Sequence, residues 1–261
     1  MTEHDIQFAA DELWRHWSRS LRLRALAEHC RPVDRAEAYA IQAKLAESSG
    51  EEVIGWKIAA TSTAGQAHIN VDGPLAGRLL KNRVLESGAA VSLLGNLMRV
   101  AEAEFAFRFR RDLGKREQPY RTDEVMEAID SLHPAIEVPD SRYEDYTVAG
   151  APQLIADNAC AHWFILGEKA GDGWREWDLE QHTVDGYKNG KLAAKGKGAN
   201  VLGGPRIALT WIANELIRFG DGLRAGQVVT TGTCITPIPV AASDQVRMDF
   251  GIFGSVEARF T

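Results

Sequence analysis

The stretch "RVAEAEFAFRFR" at positions 99–110 has the alternation of a β-strand that is buried on one face. Successive side chains of a strand point to opposite faces, so the odd positions 101–109 form an apolar face of alanine and phenylalanine. Glu102 and Glu104 share the other face, about 7 Å apart. Two carboxylates at this distance repel each other unless water or a cation screens them. The pattern therefore predicts either a solvated outer face or a cation site.

Two further charged residues lie on predicted strands among small neighbours. "EVIGWKIAAT" alternates so that Lys57 shares a face with Gly55 and Ala59, which leaves room beside its ammonium group. "HPAIEVPD" places Glu137 on the same face as Ala135. If the two acidic strands meet, their three carboxylates can hold one divalent cation such as Mg²⁺ or Mn²⁺, because hard cations prefer oxygen ligands.

A cation held by Glu102, Glu104 and Glu137 would bind a 2-oxo acid through its carboxylate and its C2 carbonyl oxygen. Chelation there stabilises the negative charge that develops on the C2 oxygen. Lys57 becomes the candidate acid or base, provided that burial or the cation lowers its pKa toward neutrality. The spacing thus predicts a small-molecule site.

Composition and charge narrow the class of protein. The chain has 261 residues, enough for one large domain or a core with a smaller appended piece. Its net charge of −6, without a basic block, argues against binding to nucleic acid or to an anionic membrane surface. No apolar window is long enough for a transmembrane helix, and the N-terminus lacks the layout of a secretion signal. Three widely spaced cysteines fit a reducing compartment, so we expect a cytoplasmic protein.

The order of elements predicts an α+β fold, because helices gather early and strands late without regular alternation. We expect one helix within residues 5–30 and a second that Asp34 caps and Gly50 ends. "GQAHINVDGPLAGRLLKN" is predicted to be a loop with a short element, and "TDEVMEAIDSL" a helix capped by Thr122. The chain is divided into an N-terminal helical segment, 1–50, packed on a core domain, 51–261.

Several polar residues have two interpretations at this point. Thr61 and Ser62 follow Lys57 closely and either bind the substrate carboxylate or cap the next turn. Thr233 is a similar candidate, because Gly232 lets backbone amides approach a ligand.

His133 and His162 flank strands and are predicted to be structural. Asp140 and Arg142 are expected to form an ion pair that fixes the loop after Glu137, with contact between Arg142 and a substrate carboxylate as the alternative.

Six segments, from about residue 35 to the C-terminus, occur in the order of a known family. They are "GWKIAATS", "AEAEFAF", "HPAIEVPDSRY", "IADNACAHWFILG", "WIANELIRFGDGLRAGQVVTTGT" and "MDFGIFGSVEARF". The chain resembles the 2-keto-4-pentenoate hydratase / 4-oxalocrotonate decarboxylase family of the fumarylacetoacetate hydrolase superfamily. The resemblance implies a mixed β-roll core in residues 51–261, Mg²⁺ or Mn²⁺ on Glu102, Glu104 and Glu137, Lys57 as acid or base, and a homo-oligomer.

The activity implied by the resemblance is hydration of a 2-hydroxy-2,4-dienoate to a 4-hydroxy-2-oxo acid in aromatic or related ring-cleavage catabolism. One alternative is decarboxylation of a 2-oxo-3-enedioate, and another is a weakly active partner subunit in a complex with a related enzyme. A C–C bond hydrolase acting on acylpyruvates is a further alternative, although the His–Glu lid pair of such enzymes is not evident.

Two positions depart from the family pattern. Leu75, in "GPLAG", replaces an acid that is thought to position the added water, and His68 and Asp72 in the same loop are the candidate catalytic substitutes. Cys160, in "ADNAC", stands where relatives often have serine. Because a thiol is a weak hydrogen-bond donor, a substrate contact at Cys160 is expected to be more apolar.

Overall fold

Six α-helices and thirteen strands form in residues 1–220 and 222–261, the part of the chain that this computed structural model describes. The helices are α1 (Glu3–Ser18), α2 (Arg35–Ser49), α3 (Thr63–His68), α4 (Thr122–Glu127), α5 (Ala151–Ala156) and α6 (Pro205–Phe219). The strands are β1 (Val53–Ala59), β2 (Leu75–Leu80), β3 (Val84–Glu86), β4 (Ala89–Val91), β5 (Val100–Phe109), β6 (Ile129–Val138), β7 (Trp163–Leu166), β8 (Thr183–Lys188), β9 (Lys191–Lys197), β10 (Val228–Thr233), β11 (Ile238–Pro239), β12 (Gln245–Asp249) and β13 (Ser255–Phe260). Each of these helices is too short or too polar to span a lipid bilayer.

The larger sheet places the acidic strands at its centre. Its order is β2-β1-β10-β5-β6-β7-β3, and β11 pairs with β5. β1 runs parallel to β10, β10 antiparallel to β5, and β5 antiparallel to β6. The carboxyl ends of β1, β10 and β6 therefore meet at one edge, together with the start of β5. We call this edge the site edge.

A second, five-stranded sheet, in the order β4-β13-β12-β8-β9, packs on the first. β12 and β13 lie over β6, and the Phe105 ring of β5 meets the Phe250 ring edge-on, with centroids 5.0 Å apart. This mixture of layered sheets with separate helices is the α+β fold that the sequence predicts.

The N-terminal helices pack against each other, and α2 contacts the edge strand β2 and helix α5. α2 begins where Asp34 accepts a hydrogen bond from the backbone of Glu37 at 2.9 Å, and it ends at Gly50 with φ 67°, as predicted. The side-chain amide of Gln42 donates to the carbonyls of Ala76 and Ile155, both at 2.8 Å, which joins α2 to β2 and α5. The division at residue 50 stays a prediction.

Helix α1 is shorter than the sequence pattern predicts. It ends at Ser18, and Leu21, which has helical spacing, is 43% exposed. Beyond it, Leu23 forms a bridge with Tyr143 and donates its N–H to the carbonyl of Arg142 at 3.0 Å. This tertiary pairing removes the segment from the helix.

Two local predictions are wrong in their details. The segment predicted as a loop with a short element holds the end of α3 and all of the strand β2, which pairs antiparallel with β1. Because most residues of "LAGRLL" are buried, the strand lacks the alternation that would reveal it. The N-cap of helix α4 is Arg121, not Thr122, which is the first helical residue. The carboxylate of Glu124 accepts the Arg121 N–H at 2.9 Å.

Gly55 permits the parallel pairing of β1 with β10. A Cβ at this position would lie 2.0 Å from the carbonyl oxygen of Val228, which is backbone and cannot move aside. We therefore expect Gly55→Ala to destabilise the protein by about 2 kcal/mol or more. Thermal unfolding followed by circular dichroism measures this as a lower Tm.

The matched control is Gly114→Ala, because nothing lies within 4 Å of an added Cβ there. Equal Tm values for the two variants would contradict the close approach of β1 to β10.

Candidate metal centre

Three carboxylates meet at the site edge. Glu102 on β5 lies directly opposite Glu137 on β6, and Glu104 follows two residues along β5. One oxygen of each residue lies within 4.8 Å of the others. Like charges placed directly opposite each other destabilise a strand pair, so this arrangement needs a compensating positive charge.

Burial increases the need for a compensating positive charge. Glu104 and Glu137 are 0% and 1% exposed, whereas Glu102 is partly exposed, so the site opens to solvent on the side of Glu102. Burial, followed by the charge of Glu137, raises the pKa of Glu102 to about 8. Burial and the two neighbouring carboxylates also raise the pKa of Glu104 well above its usual range. Without a cation, these groups are stabilised as protonated acids.

Strand β10 holds Glu104 in place. The hydroxyl of Thr230 and the backbone N–H of Gly232 both donate to Glu104 Oε2, the latter at 2.8 Å. Glu104 Oε1 is buried and accepts no hydrogen bond from the described residues. Thr230 was not among the predicted site residues, although the run "TTGT" places hydroxyl groups beside a glycine.

Lys57 supplies the one ammonium group of the cluster in the described structure. Its Nζ lies 2.9 Å from Glu137 Oε1 and donates to the carbonyl of Ala159 at 3.0 Å. Burial lowers the pKa of Lys57, but Glu137 and the two other carboxylates together outweigh burial, so the pKa is raised. Burial was one of the two ways in which the pKa of Lys57 was expected to fall toward neutrality. Burial alone does not achieve this here.

The donor set fits a hard divalent cation. Three carboxylates and one ammonium leave two negative charges at the cluster. Both oxygens of Glu137 lack a hydrogen-bond partner among the described residues, although one forms the ion pair with Lys57. Oxygen donors that the fold leaves unsatisfied are typical ligands of Mg²⁺, Mn²⁺ or Ca²⁺.

A left-handed turn brings the Ala159 carbonyl to Lys57. Asn158, Ala159 and Cys160 have φ values of 54°, 50° and 60°, a conformation that costs about 1–2 kcal/mol per residue. The Asn158 side chain pays part of this cost by pairing with the backbone of Arg78, accepting at 2.6 Å and donating at 2.9 Å. The sequence shows only the asparagine, a residue that tolerates this region.

A fully buried ion pair anchors the same turn. The Arg142 guanidinium bonds the Asp157 carboxylate, which also accepts from the Ser141 hydroxyl at 2.7 Å. The predicted partner of Arg142 is wrong, because the Asp140 carboxylate pairs instead with Arg22 at 2.5 Å. The contact between Arg142 and Asp140 is a hydrogen bond from the guanidinium to the backbone carbonyl of Asp140, at 2.9 Å.

Thr61 and Ser62 have structural contacts in this state. The Ser62 hydroxyl accepts the Gly65 N–H at 3.0 Å and caps α3. Thr61 is buried against Gly232, where an added Cβ would lie 2.2 Å from the Thr61 hydroxyl oxygen. Their part in substrate binding stays a prediction.

Thr233 and Cys160 are placed near the cluster by their strand and turn. Thr233 pairs in register with Glu104, and its hydroxyl donates to the carbonyl of Ile235 at 3.0 Å. Burial raises the pKa of the Cys160 thiol to about 12, so it stays protonated. Their substrate contacts also stay predictions.

The candidates near Leu75 lie on the surface. His68 ends α3 and Asp72 follows it, both exposed, and His68 Nε2 lies 3.4 Å from the Tyr146 hydroxyl. Leu75 is fully buried in β2, opposite Ala59. The catalytic roles of His68 and Asp72 stay predictions.

The two flanking histidines have structural partners. His133 bonds the Ser131 hydroxyl at 3.0 Å and the carbonyl of Gly167 at 2.9 Å. His162 Nδ1 accepts the indole N–H of Trp17 at 3.0 Å. Both agree with the structural role predicted for them.

Comparison with known proteins gives consistent matches over nearly the whole chain. The family model described as Fumarylacetoacetate (FAA) hydrolase C-terminal matches residues 22–261. The 2-hydroxyhexa-2,4-dienoate hydratase of Comamonas testosteroni is 36% identical over 84% of this chain and 82% of its own. The 2-keto-4-pentenoate hydratase of Burkholderia vietnamiensis is 34% identical over 90% of each chain.

A solved structure confirms the expected fold. The 4-oxalocrotonate decarboxylase from Pseudomonas putida G7, complexed with magnesium and adipate, superposes with a TM-score of 0.90. It is 29% identical and covers 100% of this chain and 99% of that one. The architecture predicted from the resemblance is therefore the one observed.

The raised pKa of Glu102 predicts how stability depends on pH. Between the ordinary value of 4.5 and about 8, the folded protein keeps a proton that the unfolded chain releases. Without metal, stability therefore falls as pH rises through this window. Tm measured in chelator should decrease toward pH 8, and added Mg²⁺ should restore it.

Glu102→Gln is the control for this effect, because it removes the titrating group. A chelated Glu102→Gln protein whose Tm falls as steeply as that of the wild type would show that Glu102 is not the origin.

The buried pair of Arg142 and Asp157 generates a second prediction. Asp157→Asn keeps the shape of the side chain but leaves the Arg142 charge unpaired, which costs about 3–5 kcal/mol. Asp172→Asn breaks an exposed pair with Lys169 and should cost about 1 kcal/mol or less. Comparable Tm losses in the two variants would refute the anchoring role.

Proposed function

The chain belongs to the fumarylacetoacetate hydrolase family, and from this premise we propose that it is a metal-dependent hydratase. Its substrate would be a 2-hydroxy-2,4-dienoate, and its product a 4-hydroxy-2-oxo acid. The supporting observation is the group of Glu102, Glu104 and Glu137 beside Lys57 at the site edge. The names of its relatives, 2-hydroxyhexa-2,4-dienoate hydratase and 2-keto-4-pentenoate hydratase, support the substrate class.

The three glutamates would hold Mg²⁺ or Mn²⁺. When bound, the cation would supply Lewis-acid polarisation of the substrate's C2 oxygen. Glu104 contributes a fixed position, because Thr230 and Gly232 hold its other oxygen. Glu102, the partly exposed member of the three, would be the ligand nearest to an entering substrate.

Lys57 would transfer the proton of the tautomerisation step. Its ammonium, which contacts Glu137 and the Ala159 carbonyl, would exchange a proton with the 2-hydroxyl end of the diene. Its pKa is raised by the carboxylates, so Lys57 serves as a base only when their charge is neutralised. Proton transfer is thereby coupled to metal loading.

Decarboxylation of a 2-oxo-3-enedioate is the second candidate. Leu75 is apolar and fully buried where the family pattern has an acid for the added water, and loss of CO₂ requires no such acid. The close superposition on the 4-oxalocrotonate decarboxylase supports this alternative. A weakly active partner subunit is the third candidate, and it is supported by the same apolar residue, Leu75.

The proposed setting is a cytoplasmic homo-oligomer in aromatic or related ring-cleavage catabolism. All three cysteines, Cys30, Cys160 and Cys234, are buried and free, which suits a reducing compartment. The small-molecule 2-oxo acid is the expected partner of the site.

Two ultraviolet assays and one titration test this proposal. The wild type with Mg²⁺ should hydrate 2-hydroxypenta-2,4-dienoate faster than it releases CO₂ from 2-oxohex-3-enedioate. Lys57→Met should lower kcat by about 100-fold or more while oxalate, a mimic of the chelating head, still binds with Mg²⁺. Glu102→Gln should lose that joint binding, because it removes a ligand charge.

Glu86→Gln, at an exposed glutamate, is the matched control and should behave as the wild type. Release of CO₂ faster than hydration of the dienoate would favour the decarboxylase. Joint binding of Mg²⁺ and oxalate without turnover of either substrate would favour the partner subunit. Absence of joint binding in the wild type would refute all three candidates.

A further inference from the structure

Two segments that leave the site edge touch each other outside it. Helix α3 follows β1, the strand of Lys57, and residues 139–150 follow β6, the strand of Glu137. His68, from the first segment, contacts Tyr146, from the second, with rings nearly perpendicular and centroids 6.0 Å apart. Because β1 and β6 end at the same edge, both segments start from the site edge before they meet.

Tyr146 lies close enough to Glu102 to sense its charge. It is half-buried, and Glu102 is the partly exposed member of the acidic trio. Burial, followed by the nearby acidic groups Cys160, Asp145 and Glu102, raises the pKa of the Tyr146 phenol. The phenol is therefore within electrostatic reach of both Glu102 and the left-handed turn.

The Tyr146 hydroxyl and His68 Nε2 make few hydrogen bonds within the protein. Among the described residues, Tyr146 Oη and His68 Nε2 bond only each other, at 3.4 Å. That distance exceeds the usual range for such bonds, so the interaction is weak and easily exchanged for a ligand oxygen.

We propose that Tyr146 and His68 bind an oxygen at the end of the substrate chain remote from the 2-oxo acid, and so select among substrates. This inference rests on the proposed function, which places the 2-oxo acid at the three carboxylates. The remote oxygen belongs either to the 4-hydroxyl of a hydration product or to the second carboxylate of an enedioate. Both are hydrogen-bond acceptors that a phenol or an imidazole N–H satisfies.

Calorimetry on the full-length, Mg²⁺-loaded protein tests the proposal with matched ligands. 2-Oxoadipate is compared with 2-oxohexanoate, and 4-hydroxy-2-oxopentanoate with 2-oxopentanoate, while oxalate reports on the metal end alone. The wild type should prefer the oxygenated member of at least one pair by about five- to tenfold, the worth of one hydrogen bond. The preferred pair identifies the source of the oxygen.

Tyr146→Phe and His68→Ala should abolish this preference and leave oxalate binding unchanged. Tyr120→Phe is the matched control, because it removes a hydroxyl that bonds the Gly114 carbonyl elsewhere. A wild type without preference, variants that keep it, or variants that weaken oxalate equally would each overturn the proposal. A wild type that binds no oxalate with Mg²⁺ would instead refute the proposed function, and this inference with it.

Discussion

Buried negative charge that the fold does not neutralise is the constraint behind the architecture of this site. Glu102 and Glu137 face each other across central strands, and Glu104 beside them is completely buried. Lys57 supplies positive charge for only one of the three. Each uncompensated buried carboxylate costs several kcal/mol, so packing alone would favour apolar side chains here. The arrangement is explained by a ligand that brings two positive charges.

The site has a fixed inner part and a looser mouth. Glu104 is held by β10, and the carbonyl that receives Lys57 is held by the left-handed turn and its buried Arg142–Asp157 pair. At the mouth proposed for it, by contrast, α3 and the loop after β6 meet through a long hydrogen bond between His68 and Tyr146. A fixed inner part suits a common chelating head, and a looser mouth suits substrates that differ in their tails.

Strand alternation made much of the inner site predictable, because it shows which residues share a face. It assigned Glu102, Glu137 and Lys57 correctly to strands, but it could not show that β5 pairs with β6 in this register. That pairing depends on contacts remote in sequence. For the same reason the partner of Arg142 was assigned wrongly, and β2, buried on both faces, lacked any pattern. The contact between His68 and Tyr146 joins two loops, which periodicity does not describe.

The place of β10 in the larger sheet has a consequence for how the protein matures. β10 lies between β1 and β5, yet it is among the last strands in the sequence. A nascent chain that has left the ribosome only through β9 has its three glutamates but lacks the strand that joins β1, which carries Lys57, to β5. It also lacks Thr230 and Gly232, which hold Glu104, so the cluster seen here is complete only after β10 has been made.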